Sequence, residues 1–194
     1  MVNCYAWNLS SKPDRIECDT IFSKSSVVLY PVFRHLNREK PVLNTKTAEL
    51  ALAKACSEHM HRDDRCSQML GMIVDESRPG YARLSMQVRE KMLNGHGNCH
   101  GGMIFTLADS AFAHACNTRN HVSVAVSCQI EFLVAVRAGD ILIAEAVEQY
   151  LQGKNGVYDV RVTSNDGGLV ALFRGKSRAI GGVLVTETTV DTMT

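Results

Sequence analysis

Gly101-Gly102-Met103-Ile104-Phe105-Thr106-Leu107-Ala108-Asp109-Ser110-Ala111-Phe112-Ala113-His114-Ala115-Cys116 is apolar almost all the way round, and Asn117-Thr118-Arg119-Asn120 ends it. A helix of that composition has to be buried on nearly every side, which one sheet curling around it achieves. Its few polar residues form a narrow stripe, with Thr106, Ser110 and His114 repeating at i+4 and Asp109 beside them. A carboxylate in the middle of such a helix is expensive unless paired or used, and desolvation raises its pKa. Asp109 is therefore either a structural acceptor of hydrogen bonds or a reacting group.

The segment just upstream bears on that choice. Asn94-Gly95-His96-Gly97-Asn98-Cys99-His100-Gly101-Gly102 is a glycine-rich loop that opens into the helix N-terminus. Unpaired backbone amides and the helix dipole favour negative charge there, and glycines let a ligand approach the backbone closely. Aimed at a carbonyl oxygen, such an end is an oxyanion site. Gly101 and Asp109 are eight residues apart, or roughly 12 Å along one helix. They cannot serve one carbonyl within a single chain. Two copies of the helix packed antiparallel across a two-fold axis would bring each N-terminus near the other chain's Asp109. The spacing thus predicts a dimer with two equivalent sites.

Around the helix the pattern is that of strands. Residues 81 to 89 alternate, with Ala82, Leu84, Met86 and Val88 on one face. Residues 122 to 133 are expected to turn Val122, Val124, Val126, Cys128, Ile130 and Phe132 inward and Ser127, Gln129 and Glu131 the other way. Residues 140 to 150, 157 to 164 and 168 to 180 read as three further strands between glycine-containing turns. Upstream, Thr45 or Thr47 can cap a helix through Leu52 and Ala53, with a continuation toward Met69. Strands without strand-helix alternation argue for an antiparallel α+β domain over a doubly wound one.

The 194 residues suit one domain, and 45% hydrophobic with 21% charged is a globular composition. Residues 1 to 46 differ in texture: three of the four prolines, the one Trp, and seven cations against four acids. They read as an N-terminal extension, with the folded domain over 47 to 194. A net charge of +1 gives no bulk basicity for nucleic acid or an anionic membrane surface. No apolar run approaches the roughly 18 to 20 residues of a bilayer span, and the N-terminus lacks the order of a signal peptide. A soluble cytoplasmic protein is expected. Seven cysteines, none spaced Cys-x-x-Cys, suggest reduced thiols rather than a disulfide framework or zinc ribbon. Cys56, His59, His61 and Asp63 do not share one helix face, so no metal is expected.

Near the C-terminus, Arg174, Lys176 and Arg178 alternate, so a strand places all three on one face. They form either a grip for phosphates or a solvated strand face. Cys99 beside His100 is a poor nucleophile-base pair, because adjacent residues project differently. His96 and His114 read as structural.

Met92-Leu93-Asn94-Gly95-His96, Cys99-His100-Gly101-Gly102, Phe105 through Ala113, Ala115-Cys116-Asn117, Gly156-Val157-Tyr158-Asp159 and Phe173-Arg174-Gly175-Lys176-Ser177 closely resemble the PaaI thioesterases of phenylacetate degradation, a family of the hot-dog fold. The match runs in order from about residue 48 to 186 and leaves the extension uncovered. One departure is Val134-Ala135-Val136-Arg137-Ala138-Gly139-Asp140, where relatives tend to carry a basic residue and a proline.

The resemblance implies a long central helix wrapped by a curved antiparallel sheet, dimers whose sheets join edge to edge, and pairs of dimers forming homotetramers. It implies hydrolysis of phenylacetyl-CoA, its hydroxylated forms or related ring-derived acyl-CoA thioesters, in phenylacetate degradation and without a cofactor. Asp109 matches the catalytic acidic residue, acting as nucleophile or as general base for water. Gly101 matches the glycine whose amide polarises the thioester carbonyl, with Gly102 next to it at the substrate. Asn94 and His100 match positions that orient substrate or water. For Arg174, Lys176 and Arg178 the resemblance suggests contact with coenzyme A phosphates, and Ser127 is a candidate for positioning water or the acyl group. Two other readings stay open: a non-catalytic acyl-CoA-binding module, and a hot-dog enoyl-CoA hydratase, which would want an Asp-His pair near the central helix.

Overall fold

Alternation along Tyr81–Gln87 and the apolar run of Gly101–Asn117 meet as expected: the strand buries Ala82, Leu84 and Met86 against the helix. The computed structural model describes residues 45–186. The expected extension over residues 1 to 46 lies outside these apart from Thr45 and Lys46, which open the first helix. In chain order the elements are α1 (Thr45–Asp63), α2 (Arg65–Leu70), β1 (Ile73–Arg78), β2 (Tyr81–Gln87), a short 3-10 turn, α3 (Gly101–Asn117), β3 (Ser123–Phe132), β4 (Ile141–Gln152), β5 (Asn155–Ser164) and β6 (Leu169–Ala179). The strands form one antiparallel sheet in the order β1-β2-β4-β5-β6-β3.

The sheet wraps α3, which touches all six strands, as the hot-dog resemblance implies. Leu107, Ala108, Ala111, Phe112 and Ala115 of α3 are buried among Leu84, Met86, Leu142, Val160, Val162 and Phe173. Phe112 packs edge-on to Tyr158 and tilts against Phe173, with ring centroids 5.5 and 5.9 Å apart. Gly175 is glycine because a Cβ there would lie within 2.8 Å of the Phe112 ring. Burial of the large side chains among these, such as Leu107 and Phe112, is worth roughly 1.5 to 3 kcal/mol each, so α3 is held by packing more than by its own propensity.

Two local expectations need correction, and one strand was not foreseen. The upstream helix does not run unbroken toward Met69: Asp64 interrupts it and caps α2, accepting the Ser67 amide at 3.0 Å. Strand β1 was not expected, because Ile73-Val74-Asp75-Glu76-Ser77-Arg78 lacks an apolar alternation; as an exposed edge strand it has little to bury. In β3 a bulge between Ala125 and Ser127 resets the alternation. Val124 pairs with outward-facing Arg178 and Ala125 with buried Ser177, so Val124 shares the outer face while Cys128, Ile130 and Phe132 point toward α3. β3 is the sheet's other edge, and Val124, Val126, Phe132 and Leu133 are exposed along it.

Candidate active site

The N-terminal end of α3 is built by its loop. Asn94 Oδ1 accepts the amides of His96 and Asn98 at 2.9 and 3.2 Å, and the Asn94 amide donates to the Asn98 carbonyl at 2.7 Å. Gly97 turns this loop with a φ of 74°, the left-handed region that glycine adopts without strain. The Cys99 amide donates to the Val136 carbonyl at 2.7 Å, and the His100 amide to Met92 at 2.8 Å. The departure at residues 134 to 140 thus still clamps the start of α3, with Val136 buried.

His100 caps α3. Its Nδ1 accepts the Gly102 amide at 2.9 Å and its carbonyl accepts the Met103 amide at 2.8 Å. Among the described residues no acceptor takes the Gly101 amide. This amide opens into a cleft lined by Asn94, Asn98, Ile104, Phe132 and Leu133. Asn94, His100, Gly101 and Gly102 are therefore brought together, as the sequence reading expects.

Asp109 lies two turns further along, in a separate cleft with Met60, Asp63, Asp64, Ser110 and His114. It is half-buried, and burial pushes its carboxyl above the usual range, opposed by a hydrogen bond from Cys128, whose Sγ lies 3.7 Å from Oδ1. The rest of the polar stripe is engaged elsewhere. Thr106 Oγ1 donates to the Gly102 carbonyl at 2.7 Å, Ser110 Oγ meets Ser67 Oγ at 3.3 Å, and His114 Nδ1 meets Ser57 Oγ at 2.8 Å. Burial, then the neighbouring charge of His61, holds the His114 pKa down to about 4, so near neutral pH the ring is uncharged.

Arg174, Lys176 and Arg178 do share one exposed face of β6, on the side of the sheet away from α3. Within one chain they do not meet Asp109. Arg174 is also not a free cation: its Nε and Nη2 donate to Asp159 on β5 at 2.6 and 2.7 Å. Ser127 pairs with Lys176 on that outer face, while its neighbour Cys128 reaches Asp109. Among the described residues no group of His, Cys, Asp or Glu is placed to hold a metal ion.

Three contributors escape the sequence reading. Phe132 lies across Gly101, Cys128 touches Asp109, and Asp159 clasps Arg174. Asp159 carried a signal in Gly156-Val157-Tyr158-Asp159, but its partner depends on the β5-β6 register, in which it faces Arg174.

A free helix-end amide and a carboxylate raised by burial suit attack on a thioester carbonyl. Comparison with known proteins agrees. A thioesterase superfamily model matches residues 96–171. The chain is 44% identical over 128 residues to the acyl-coenzyme A thioesterase PaaI of Escherichia coli (strain K12), covering 66% of this chain and 91% of the relative. The structure of the E. coli PaaI protein from the phenylacetic acid degradation operon aligns with a TM-score of 0.68 at 42% identity, covering 69% of this chain and 97% of that one. The crystal structure of smu.793 from Streptococcus mutans, bound to acetyl-CoA, aligns at 0.54 with 27% identity, over 58% and 89% of the two chains. With this fold, this site and a relative matched over nearly its whole length, the chain belongs to the thioesterase superfamily, as a thioester hydrolase of the PaaI type with the hot-dog fold.

Proposed function

We propose that the protein hydrolyses phenylacetyl-CoA, its hydroxylated forms or related ring-derived acyl-CoA thioesters to the free acid and CoA, in phenylacetate degradation, at sites shared between two chains. The observation that carries this is the division of the machinery. Gly101 with Asn94 opens one cleft, Asp109 opens another, and the axial offset between them is roughly 12 Å. Packing α3 antiparallel to its copy would place the Gly101 amide of one chain by the Asp109 of the other. The β3 edge supports such a dimer, since an unpaired edge with exposed Val124, Val126 and Phe132 is a template for a second strand. Pairing of these dimers into a tetramer completes the assembly.

In each site the thioester carbonyl points at the Gly101 amide, which stabilises the oxygen as negative charge grows on it. Asp109 from across the dimer either takes the proton of a water that attacks the carbonyl carbon or attacks that carbon itself. Direct attack forms an acyl anhydride that water then hydrolyses to the free acid. In both cases the CoA thiolate leaves and is protonated to the free thiol. His100 and Asn94 orient the thioester, with Gly102 beside them, whereas Ser127, on the outer face of β3, lies away from the reacting carbonyl. Lys176 and Arg178, with Arg174 beside Asp159, supply positive charge for the CoA phosphates. Burial raises the Asp109 pKa above the usual carboxylate range, the direction that makes it a stronger base. The enzyme acts in the cytoplasm, in keeping with five described cysteines that are all free.

Incubation with a panel of aryl and alkyl acyl-CoAs, reading CoA release, tests the proposal. Fastest release from the phenylacetyl and hydroxyphenylacetyl thioesters is the expected result. Binding without release would indicate a carrier or sensor module instead, and hydration of an enoyl-CoA without release would indicate a hydratase.

A further inference from the structure

Asp109 has to be held by something, and the side chains around it narrow the choice. On α3, Thr106 and Ser110 are engaged with Gly102 and Ser67, and Asn117 Nδ2 donates to the Ala113 and Ser123 carbonyls. From the α1-α2 junction, Asp64 is occupied in capping Ser67. Among the described residues the side-chain partner of the Asp109 carboxylate is the Cys128 thiol on β3, 3.7 Å from Oδ1. Cys128 reaches it because residue 128 faces α3, opposite Gly175, which has no side chain to compete for the space.

We propose that Cys128 is a positioning residue for the hydrolysis: its thiol donates to Oδ1 of Asp109, fixing the carboxylate's rotamer and leaving Oδ2 toward the cleft for the reacting atoms. This rests on Asp109 being the base or nucleophile. A thiol is a weaker donor than a hydroxyl, so it orients the carboxylate while withdrawing less of its basicity. The Cys128 thiol itself is pushed up to about 11 by burial and by the Asp109 charge, so it stays protonated as a donor and does not compete as a nucleophile. The other titratable groups facing Asp109 leave this assignment intact. Cys116 on α3 is pushed up to about 12, His114 is uncharged, and Asp63 and Asp64 bring only like charge to the cleft.

The test compares Cys128→Ser and Cys128→Ala with the full-length wild type, following loss of the thioester absorbance of phenylacetyl-CoA across pH. A donor to the carboxylate favours its charged form, so a stronger donor lowers the acid-limb pKa and losing the donor raises it. Cys128→Ser is expected to keep turnover and shift the acid limb of kcat downward. Cys128→Ala is expected to lose roughly tenfold in kcat with KM little changed, as for a misaligned reacting group, and to shift the limb upward. An alanine variant with wild-type kcat and limb, or a serine variant whose limb does not fall below that of the wild type, overturns the proposal. If the alanine variant does not fold, the near-isosteric serine variant still decides. Asp109→Asn, measured alongside, separates the two levels. If it stays active, the reading of Asp109 is wrong; if it is inactive while both Cys128 variants behave as wild type, only the role of Cys128 is.

Discussion

The Phe132 ring lies so close over Gly101 that a Cβ on that residue would sit 3.1 Å from the ring's Cζ. A side chain at position 101 must therefore push the ring aside. Phe132 is half-exposed, at 52%, so it can yield and the fold should survive. Gly101→Ala keeps the amide but displaces the ring, whereas Gly101→Pro displaces it and also removes the N–H. Proline is tolerated at the first position of a helix, and His100 already has the extended backbone that precedes proline comfortably. The proline variant is expected to lose on the order of 10²-fold more kcat than the alanine variant, the size of an oxyanion donor. Equal losses in the two would mean that the amide is not the donor.

Asp109→Asn should separate activity from stability. The folded carboxyl has its pKa raised, chiefly by burial. The charged form is thus penalised in the folded chain: the cost is absent below the unfolded carboxyl pKa and grows as pH rises through the folded one. Asparagine removes that cost while retaining shape, so thermal melting near neutral pH should show a midpoint at or above the wild type's. Turnover should fall by about 10³-fold or more, given what positioned bases contribute. A large drop in melting temperature would mean that Asp109 is held for structure.

The three cations of β6 should not behave alike. Asp159 grips Arg174 through two hydrogen bonds, whereas no ion pair joins Lys176 or Arg178 to another described residue. Lys176→Gln and Arg178→Gln are expected to raise KM for acyl-CoA severalfold with kcat little changed, the signature of lost uniform binding. The effect should shrink as salt screens exposed charge. Arg174→Gln should matter less for binding, since its charge is already balanced. Three equal effects on KM would show that Asp159 releases Arg174 when CoA binds.

These contrasts show what the sequence could and could not reveal. Gly101 and Asp109 were legible because their chemistry is local: a glycine pair at a helix start, and a carboxylate in an apolar run. The helix-within-sheet architecture followed from α3 alone, which is too apolar to leave uncovered. The partners of Cys128, Phe132 and Asp159 were not legible, because the first two depend on how β3 packs on α3 and the third on the β5-β6 register. Cys128 and Phe132 do face α3, as the alternation predicts; the bulge at Ala125/Ser127, which nothing in Val124-Ala125-Val126-Ser127 announces, instead turns Val124 to the other face. Strand β1 escaped for a related reason: an edge strand carrying Asp75, Glu76 and Arg78 has no hydrophobic periodicity to detect.

His114 makes acid stability a readout of the packing of α1 on α3. Its ring meets Ser57 of α1, and burial first, then His61, depresses its pKa to about 4 from 6.5, with Asp64 opposing. Between these values the unfolded chain binds a proton that the folded chain refuses. Stability should therefore fall as pH drops through this window and be fully present above it, a change on the order of 3 kcal/mol. Urea midpoints near pH 7 and near pH 4 should differ more for wild type than for His114→Asn. Equal differences would show that the ring takes up its proton within the fold.

The proposed sharing of each site between two chains has a consequence that no single variant tests. In a dimer of one Asp109→Asn chain and one Gly101→Pro chain, one site receives the intact Gly101 amide of the first and the intact Asp109 of the second. The other site lacks both. Refolding an equal mixture of the two inactive variants makes half the dimers mixed, each with one working site of two, so about a quarter of wild-type activity should return. If each site were built within one chain, every chain in the mixture would carry a defect in its own site and no activity would return. The roughly 12 Å along α3 between residues 101 and 109 is the physical reason to expect recovery: neither helix alone can bring its own amide and its own carboxylate to the same carbonyl group.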